Sequence, residues 1–311
     1  MAIRSVRGKS MSKAWQRRDM GLTLRIIVSF IILTVLYLVF LSVLVYLGVG
    51  FVPITIVASV LIIAQWYFSD KIVLWSSGAK VVTREQFPEL HELVERIVAR
   101  NNLPKPKIAV INSAIPNAFA TGKSQKSSVV AVTSGLMDIL NSEELEGVVG
   151  HELTHIRNRD VLVITLASLF STVAWYLMQF GFYGGLYGGY SGGRGRGGGG
   201  GAILIMLAVA VVTWLVSFLV IRAISRYREF AADRGSAQMT GKPVQLANAL
   251  MKISGTMQRV PNRDLRKVEG LNAFFIVPVH SGRQTIANLF STHPPVQMRV
   301  QKLLEMEASM A

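Results

Sequence analysis

Charged and uncharged positions fall in blocks along this chain. Between Arg25 and Asp70 there is no charged side chain for 44 residues, roughly 66 Å of unbroken helix and about twice the hydrocarbon thickness of a bilayer. The run therefore predicts two membrane-crossing helices, with a reversal at Gly48-Val49-Gly50-Phe51-Val52-Pro53, where two glycines and a proline favour a turn. Two further uncharged runs, 161–193 and 197–221, predict a second pair. Elsewhere the period shortens. Residues 84–101 place Phe87, Leu90, Leu93, Val94 and Ile97 on one side of an amphipathic helix, with His91 expected at the surface. Lys107–Ile111 and Ser128–Thr133 read as strands, with Asn117–Thr121 between them, and 243–258 and 295–309 read as helices. Leu271–Val277 reads as a strand or buried segment.

These blocks divide the chain into a basic tail (1–25), a transmembrane hairpin (26–69), a first soluble half (71–160), a second hairpin (161–221) and a second soluble half (222–311). Within the second hairpin, 181–201 is mostly glycine, interleaved with Tyr183, Tyr187 and Tyr190, and reads as a flexible outer loop. A phosphate-cradling loop would need a strand-then-helix context and a lysine that are missing there.

Composition strengthens the membrane reading: 51% of residues are hydrophobic and 16% charged, with a mean hydropathy of +0.41, too apolar for an ordinary soluble domain. A signal peptide does not account for the first run, which is too long and lacks a small-residue cleavage pattern. Lys and Arg set the orientation: the tail carries Arg4, Arg7, Lys9, Lys13, Arg17, Arg18 and Arg25, the first outer loop carries none, and the second only Arg194 and Arg196. A multi-pass protein of the cell (inner) membrane is expected, with both termini and the soluble part cytoplasmic. The net charge of +15 is explained by juxtamembrane contact with anionic lipid, without nucleic acid. There are no cysteines, so a zinc site would have to use histidine and carboxylate.

Candidate chemistry lies in His151-Glu152-Leu153-Thr154-His155. On a helix, positions four apart share a face, so His151 and His155 can address one metal ion, with Glu152 beside it as general base. Asn141 and Ser142 followed by an acidic first turn, and Arg157 and Arg159 at the end, bound that helix. Two histidines and a water leave tetrahedral zinc one protein ligand short. Glu229, which follows the fourth span, is the candidate, and Asp233 one turn later can accept a ring N–H from a ligating histidine. Both carboxylates could instead be solvent-facing partners of Arg226 or Arg228. The inserted spans favour the ligand reading, because they return the chain to the face it left.

At these residues the sequence resembles the HtpX-like family of membrane zinc metallopeptidases, relatives of the CAAX prenyl endopeptidases. The resemblance covers most of the chain. It rests on His151 to His155 followed by Asn158 and Asp160, on Ser225-Arg226 with Glu229 and Asp233, on Asn117-Ala118-Phe119-Ala120, and on Ser291-Thr292-His293-Pro294-Pro295. It implies an α+β, zincin-like metallopeptidase domain on a four-helix transmembrane anchor. It further implies one Zn2+ per chain on His151, His155 and Glu229, Glu152 activating water, and Asp233 supporting a ligand. Asn117 to Ala120 would be the edge strand that takes the substrate peptide, and His293 would contact the reacting carbonyl, with capping or packing before Pro294 as its alternative and His280 a less supported substitute. Peptides or misfolded membrane proteins are the implied substrates, and quality control and stress response the implied setting. Gly150 stands where the family often has Ala, which permits closer backbone approach.

Two rivals fit less well. An intramembrane protease would not tolerate Glu143, Glu144, Glu146, Arg157, Arg159 and Asp160 around its metal helix. A nonenzymatic metal-binding scaffold or transporter would have no need of Glu152, and the uncharged runs carry no charged side chain for transport.

Overall fold

In the computed structural model the described residues are 20–46, 52–165, 172, 175, 179, 199–261, 275–277 and 293–310. The two strand-like runs and the segment between them build one sheet. Its strands are β1 (Lys80–Val81), β2 (Lys107–Ile111), β3 (Ala118–Thr121) and β4 (Val129–Thr133), in the order β1-β2-β4-β3. β2 and β4 are parallel, with Ile108 opposite Val130; β3 runs antiparallel to β4, with Phe119 opposite Ala131, and forms one edge.

The helices are α1 (Met20–Tyr46), α2 (Val52–Tyr67), α3 (Ser69–Ser77), α4 (Pro88–Arg100), α5 (Ser134–Ile139), α6 (Ser142–Asn158), α7 (Gly199–Thr240), α8 (Pro243–Met257) and α9 (Val296–Met310). They separate into two compact units, one including Phe68–Val161 and Ser225–Ala311, the other Leu24–Tyr67 and Leu162–Ile224.

In the first unit the period-two alternation of the strands sorts the core. Ile108, Val130 and Val132 join Leu93, Val94 and Ile97 of α4, Val148, Val149 and Leu153 of α6, Leu246 and Leu250 of α8 and Leu303 of α9. The alternate residues Ala109, Phe119, Val129 and Ala131 pack with Val73 of α3. Phe275, Ile276 and Val277 are buried in the larger core, so the described part of the 271–277 segment is buried without forming a strand.

In the second unit Leu33 and Ile224 are buried against each other, with Phe30, Val163, Ile164, Val220 and Ile221 around them. Among the described residues two helices are long and apolar enough to cross a membrane, at Leu24–Val43 and Leu207–Thr240. α2 has 16 residues, about 24 Å of helix. The run expected as a third span, and the glycine segment up to 198, lie almost wholly outside the described residues.

Two expectations need correction, the end of the glycine loop and the exposure of His91. Gly199–Gly201 belong to α7 rather than to the loop expected to end at 201, because the apolar run that follows propagates the helix back through them. That helix also continues past Arg222 to Thr240, so the second soluble half opens as helix. His91 is buried rather than surface-exposed: its ring nitrogens sit 3.2 Å from the Val82 carbonyl oxygen and 3.2 Å from Lys105 Nζ, contacts from segments outside the helix that its own periodicity could not reveal.

α6 and the latter part of α7 touch through small residues. Ser236 Oγ donates to the Gly147 carbonyl at 2.6 Å, and a Cβ on Gly235 would lie 2.3 Å from Thr154 Cγ2. Thr154 is itself fully buried and has nowhere to move. Gly235→Ala should therefore destabilise by about 1–3 kcal/mol, although alanine gains roughly 1 kcal/mol in helix propensity. Thermal unfolding in detergent checks this, with Thr154→Ala expected to restore part of the loss.

Candidate metal centre

α6 is set by its ends. Asn141 Oδ1 accepts from the Glu143 and Glu144 amides at 3.1 and 2.9 Å, and Glu144 returns to the Asn141 amide at 3.0 Å, a complete capping box. At the other end Arg159 takes the left-handed conformation (φ 57°). Asp160, the next residue, lies against His155.

His151 and His155 occupy successive turns of α6, and Glu229 and Asp233 successive turns of α7. The crossing at Gly147 and Gly150 brings the two pairs together. The Nε2 atoms of the histidines are 3.1 Å apart. Glu229 Oε2 lies 3.6 Å from His151 Nε2, and Oε1 lies 3.5 Å from His155 Nε2. A tetrahedral zinc ion with ligands at ~2.0–2.1 Å requires ligand atoms roughly 3.3 Å apart, so this triangle has the dimensions of a metal face. These three residues are the described His/Asp/Glu cluster able to hold an ion.

Both rings are held from behind. His151 Nδ1 is 3.0 Å from Asp233 Oδ1, and His155 Nδ1 donates to Asp160 Oδ2. A carboxylate on Nδ1 selects the tautomer whose Nε2 lone pair faces the cluster. Asp160 also pairs with Arg228 Nε at 3.2 Å. Asp233 receives both Arg299 Nε at 2.8 Å and a terminal nitrogen at 2.7 Å, a bidentate pair. Arg299 is fully buried, lies 3.3 Å from Glu229 Oε2 and donates to the Ile276 carbonyl at 2.6 Å.

Glu152 is buried on the same helix, beside the Ala120 backbone of β3. Burial pushes its carboxyl up, against the lowering effect of the neighbouring histidines. Burial pushes His151 down, but Asp233 and Glu229 outweigh it and raise the imidazole to about 9. Around the histidines, Glu152, Glu229, Asp233 and Asp160 face two guanidinium groups, Arg299 and Arg228. That leaves an excess of negative charge, which suits a divalent cation.

The structure thus brings together His151, Glu152, His155, Glu229 and Asp233, and adds His293, whose Nδ1 is 3.1 Å from Glu229 Oε2. Asn117 Oδ1 accepts from the Ile276 amide at 3.1 Å. Ala118–Ala120 form the edge strand, with Phe119 turned into the sheet's second core. His280 lies outside the described residues. The Arg226 and Arg228 pairing considered for Glu229 and Asp233 is replaced by Arg299 at both carboxylates and by Arg228 at Asp160.

The model of Peptidase family M48 matches residues 84–307. The chain belongs to peptidase family M48. Membership places it among metallopeptidases, and its two long apolar helices agree with a membrane location. It is 49% identical to Protease HtpX homolog 2 of Methanosarcina mazei over 97% of this chain and 100% of that one. It is 52% identical to the Protease HtpX homolog of Moorella thermoacetica over 94% and 96%. In fold it is similar to Ste24p of S. mikatae, with a TM-score of 0.56 at 18% identity, covering 92% of this chain and 65% of that one.

Proposed function

We propose that the protein is an integral-membrane zinc endopeptidase of the gluzincin type, working on the cytoplasmic side of a four-span anchor in membrane-protein quality control. The observation that carries the reading is the triangle of two Nε2 atoms and one carboxylate with 3.1–3.6 Å edges. His151, His155 and Glu229 would hold the ion, and Asp233 and Asp160 would keep both imidazoles in the productive tautomer. When bound, zinc supplies a water of lowered pKa and polarises the scissile carbonyl. Glu152 takes the proton of the attacking water and passes it to the leaving amine. Its carboxylate lies beside the Ala120 backbone, which places the base near the strand edge on which an extended substrate would add as a further strand. His293, whose Nδ1 lies 3.1 Å from Glu229 Oε2, would turn from that carboxylate to reach the carbonyl.

The protease names of the relatives support peptide-bond hydrolysis, the Lys and Arg distribution of the tail supports the cytoplasmic orientation, and the quality-control setting rests on the resemblance described above. The test is cleavage of an unfolded protein by the full chain in detergent, before and after chelation and zinc return, with elemental analysis. Activity should disappear with the metal and come back with it, and Glu229→Ala should retain less than a tenth of the wild-type zinc. Undiminished zinc in that variant would sink the assignment.

A further inference from the structure

α3 has two apolar faces, and packing among the described residues accounts for one of them. Val73 points into the sheet with Ala109, Phe119, Val129 and Ala131, with Leu74 beside it. At 100° per residue, Phe68, Lys71, Ile72 and Trp75 fall on the opposite side within an arc of about 100°. Phe68 is 45% exposed, Ile72 49% and Trp75 86%, and Lys71 Nζ sits 6.0 Å from the centre of the Phe68 ring. An isolated exposed apolar residue needs no explanation, but a tryptophan with two neighbours along one helical stripe does.

The stripe is firmly presented. Gly78, in the left-handed conformation, closes the helix through its amide to the Leu74 and Trp75 carbonyls, and Ser77 Oγ turns inward to the Val73 carbonyl at 2.6 Å. In the chain, a single residue, Phe68, separates the end of α2 at Tyr67 from the start of α3 at Ser69. α2 carries no charged side chain and exposes Val52, Ile56, Val60, Ile63 and Tyr67.

We propose that this face is a membrane-interface surface, and that its partner is the headgroup and upper acyl layer of the bilayer. Tryptophan and tyrosine concentrate at that depth because their rings are apolar and their N–H and O–H groups are wet. Lys71 suits the same level, since its stem can lie along apolar surface while its ammonium reaches phosphate. Val73 of α3 rests on Phe119, whose neighbours Ala118 and Ala120 line the edge strand. α3 thus holds that edge within about one helix diameter, roughly 10 Å, of the lipid. If the proposed peptidase function holds, on which this step rests, the bonds cut lie next to a membrane segment of the substrate.

The natural chain has no cysteine, so Trp75→Cys and Ile72→Cys each create a unique labelling site. With a nitroxide on the full chain in phosphatidylethanolamine–phosphatidylglycerol vesicles, collisions with oxygen should exceed those with a water-soluble nickel chelate. The ratio should be several-fold higher than for the same label at Leu304→Cys, an exposed position on α9. Water accessibility equal to that at 304, or spin–spin broadening from a second copy, overturns the proposal. This arm is independent of proteolysis.

In a second arm, Trp75→Glu should reduce cleavage of a membrane-tethered substrate at least fivefold while changing that of a soluble peptide less than twofold. Equal losses on both would overturn the inferred cleavage position. Absence of cleavage by the wild-type chain would count against the peptidase reading and leave the depth measurement decisive for the surface.

Discussion

Glu152→Gln is expected to lower proteolysis by roughly 10²–10⁴-fold, the range general bases contribute, while leaving the zinc content unchanged. Glu152 is not one of the three residues able to hold the ion, which are His151, His155 and Glu229. Glutamine has nearly the same shape and volume as glutamate, so the packing around this buried position is kept. What is lost is a carboxylate that can take up a proton, and glutamine has no equivalent at neutral pH. Glu152→Ala would be less informative, because removing a buried side chain also leaves a void beside the histidines. Turnover within tenfold of wild type in the purified, metal-loaded glutamine variant would remove Glu152 from the mechanism.

His151, Glu152, His155, Glu229 and Asp233 were legible because each belongs to a short helical pattern. Four-residue spacing puts both histidines on one face and both carboxylates on another, and physics of a single turn is local. β2, β4 and α8 were legible for the same reason, their apolar positions recurring at periods of two and 3.6. Asp160 illustrates the limit. It could be quoted as part of a resemblance, but its approach to His155 follows a left-handed Arg159, a conformation usually marked by glycine and here adopted by a residue that gives no such signal. Asn117 has a partner far along the chain, the Ile276 amide, and no local pattern distinguishes that tie from a substrate contact. Arg299 left one trace. It precedes Leu303 by one turn, and these are the buried residues of α9, so a cation stands on the apolar face. Such a placement requires an interior anion without saying which.

Arg299→Met should destabilise the protein by about 3–5 kcal/mol, the usual cost of stranding one member of a buried ion pair. The guanidinium is fully buried and makes two short contacts to Asp233 and one to the Ile276 carbonyl. Methionine fills much of the same volume but leaves the Asp233 carboxylate without its counter-charge and the Ile276 carbonyl without its donor. Adding Asp233→Leu removes the stranded charge, so the double variant should recover most of the lost stability in chemical denaturation. Metal affinity should not recover with it. Asp233 is the acceptor for His151 Nδ1, and without it the ring is free to turn or change tautomer, a loss of about 10–100-fold for a supporting carboxylate of this kind. The two measurements thus separate what Arg299 does for the fold from what it does for the histidine through Asp233. An Arg299→Met protein within ~1 kcal/mol of wild type would mean that the buried pair contributes little, and a double variant that binds zinc normally would mean that Asp233 does not orient His151.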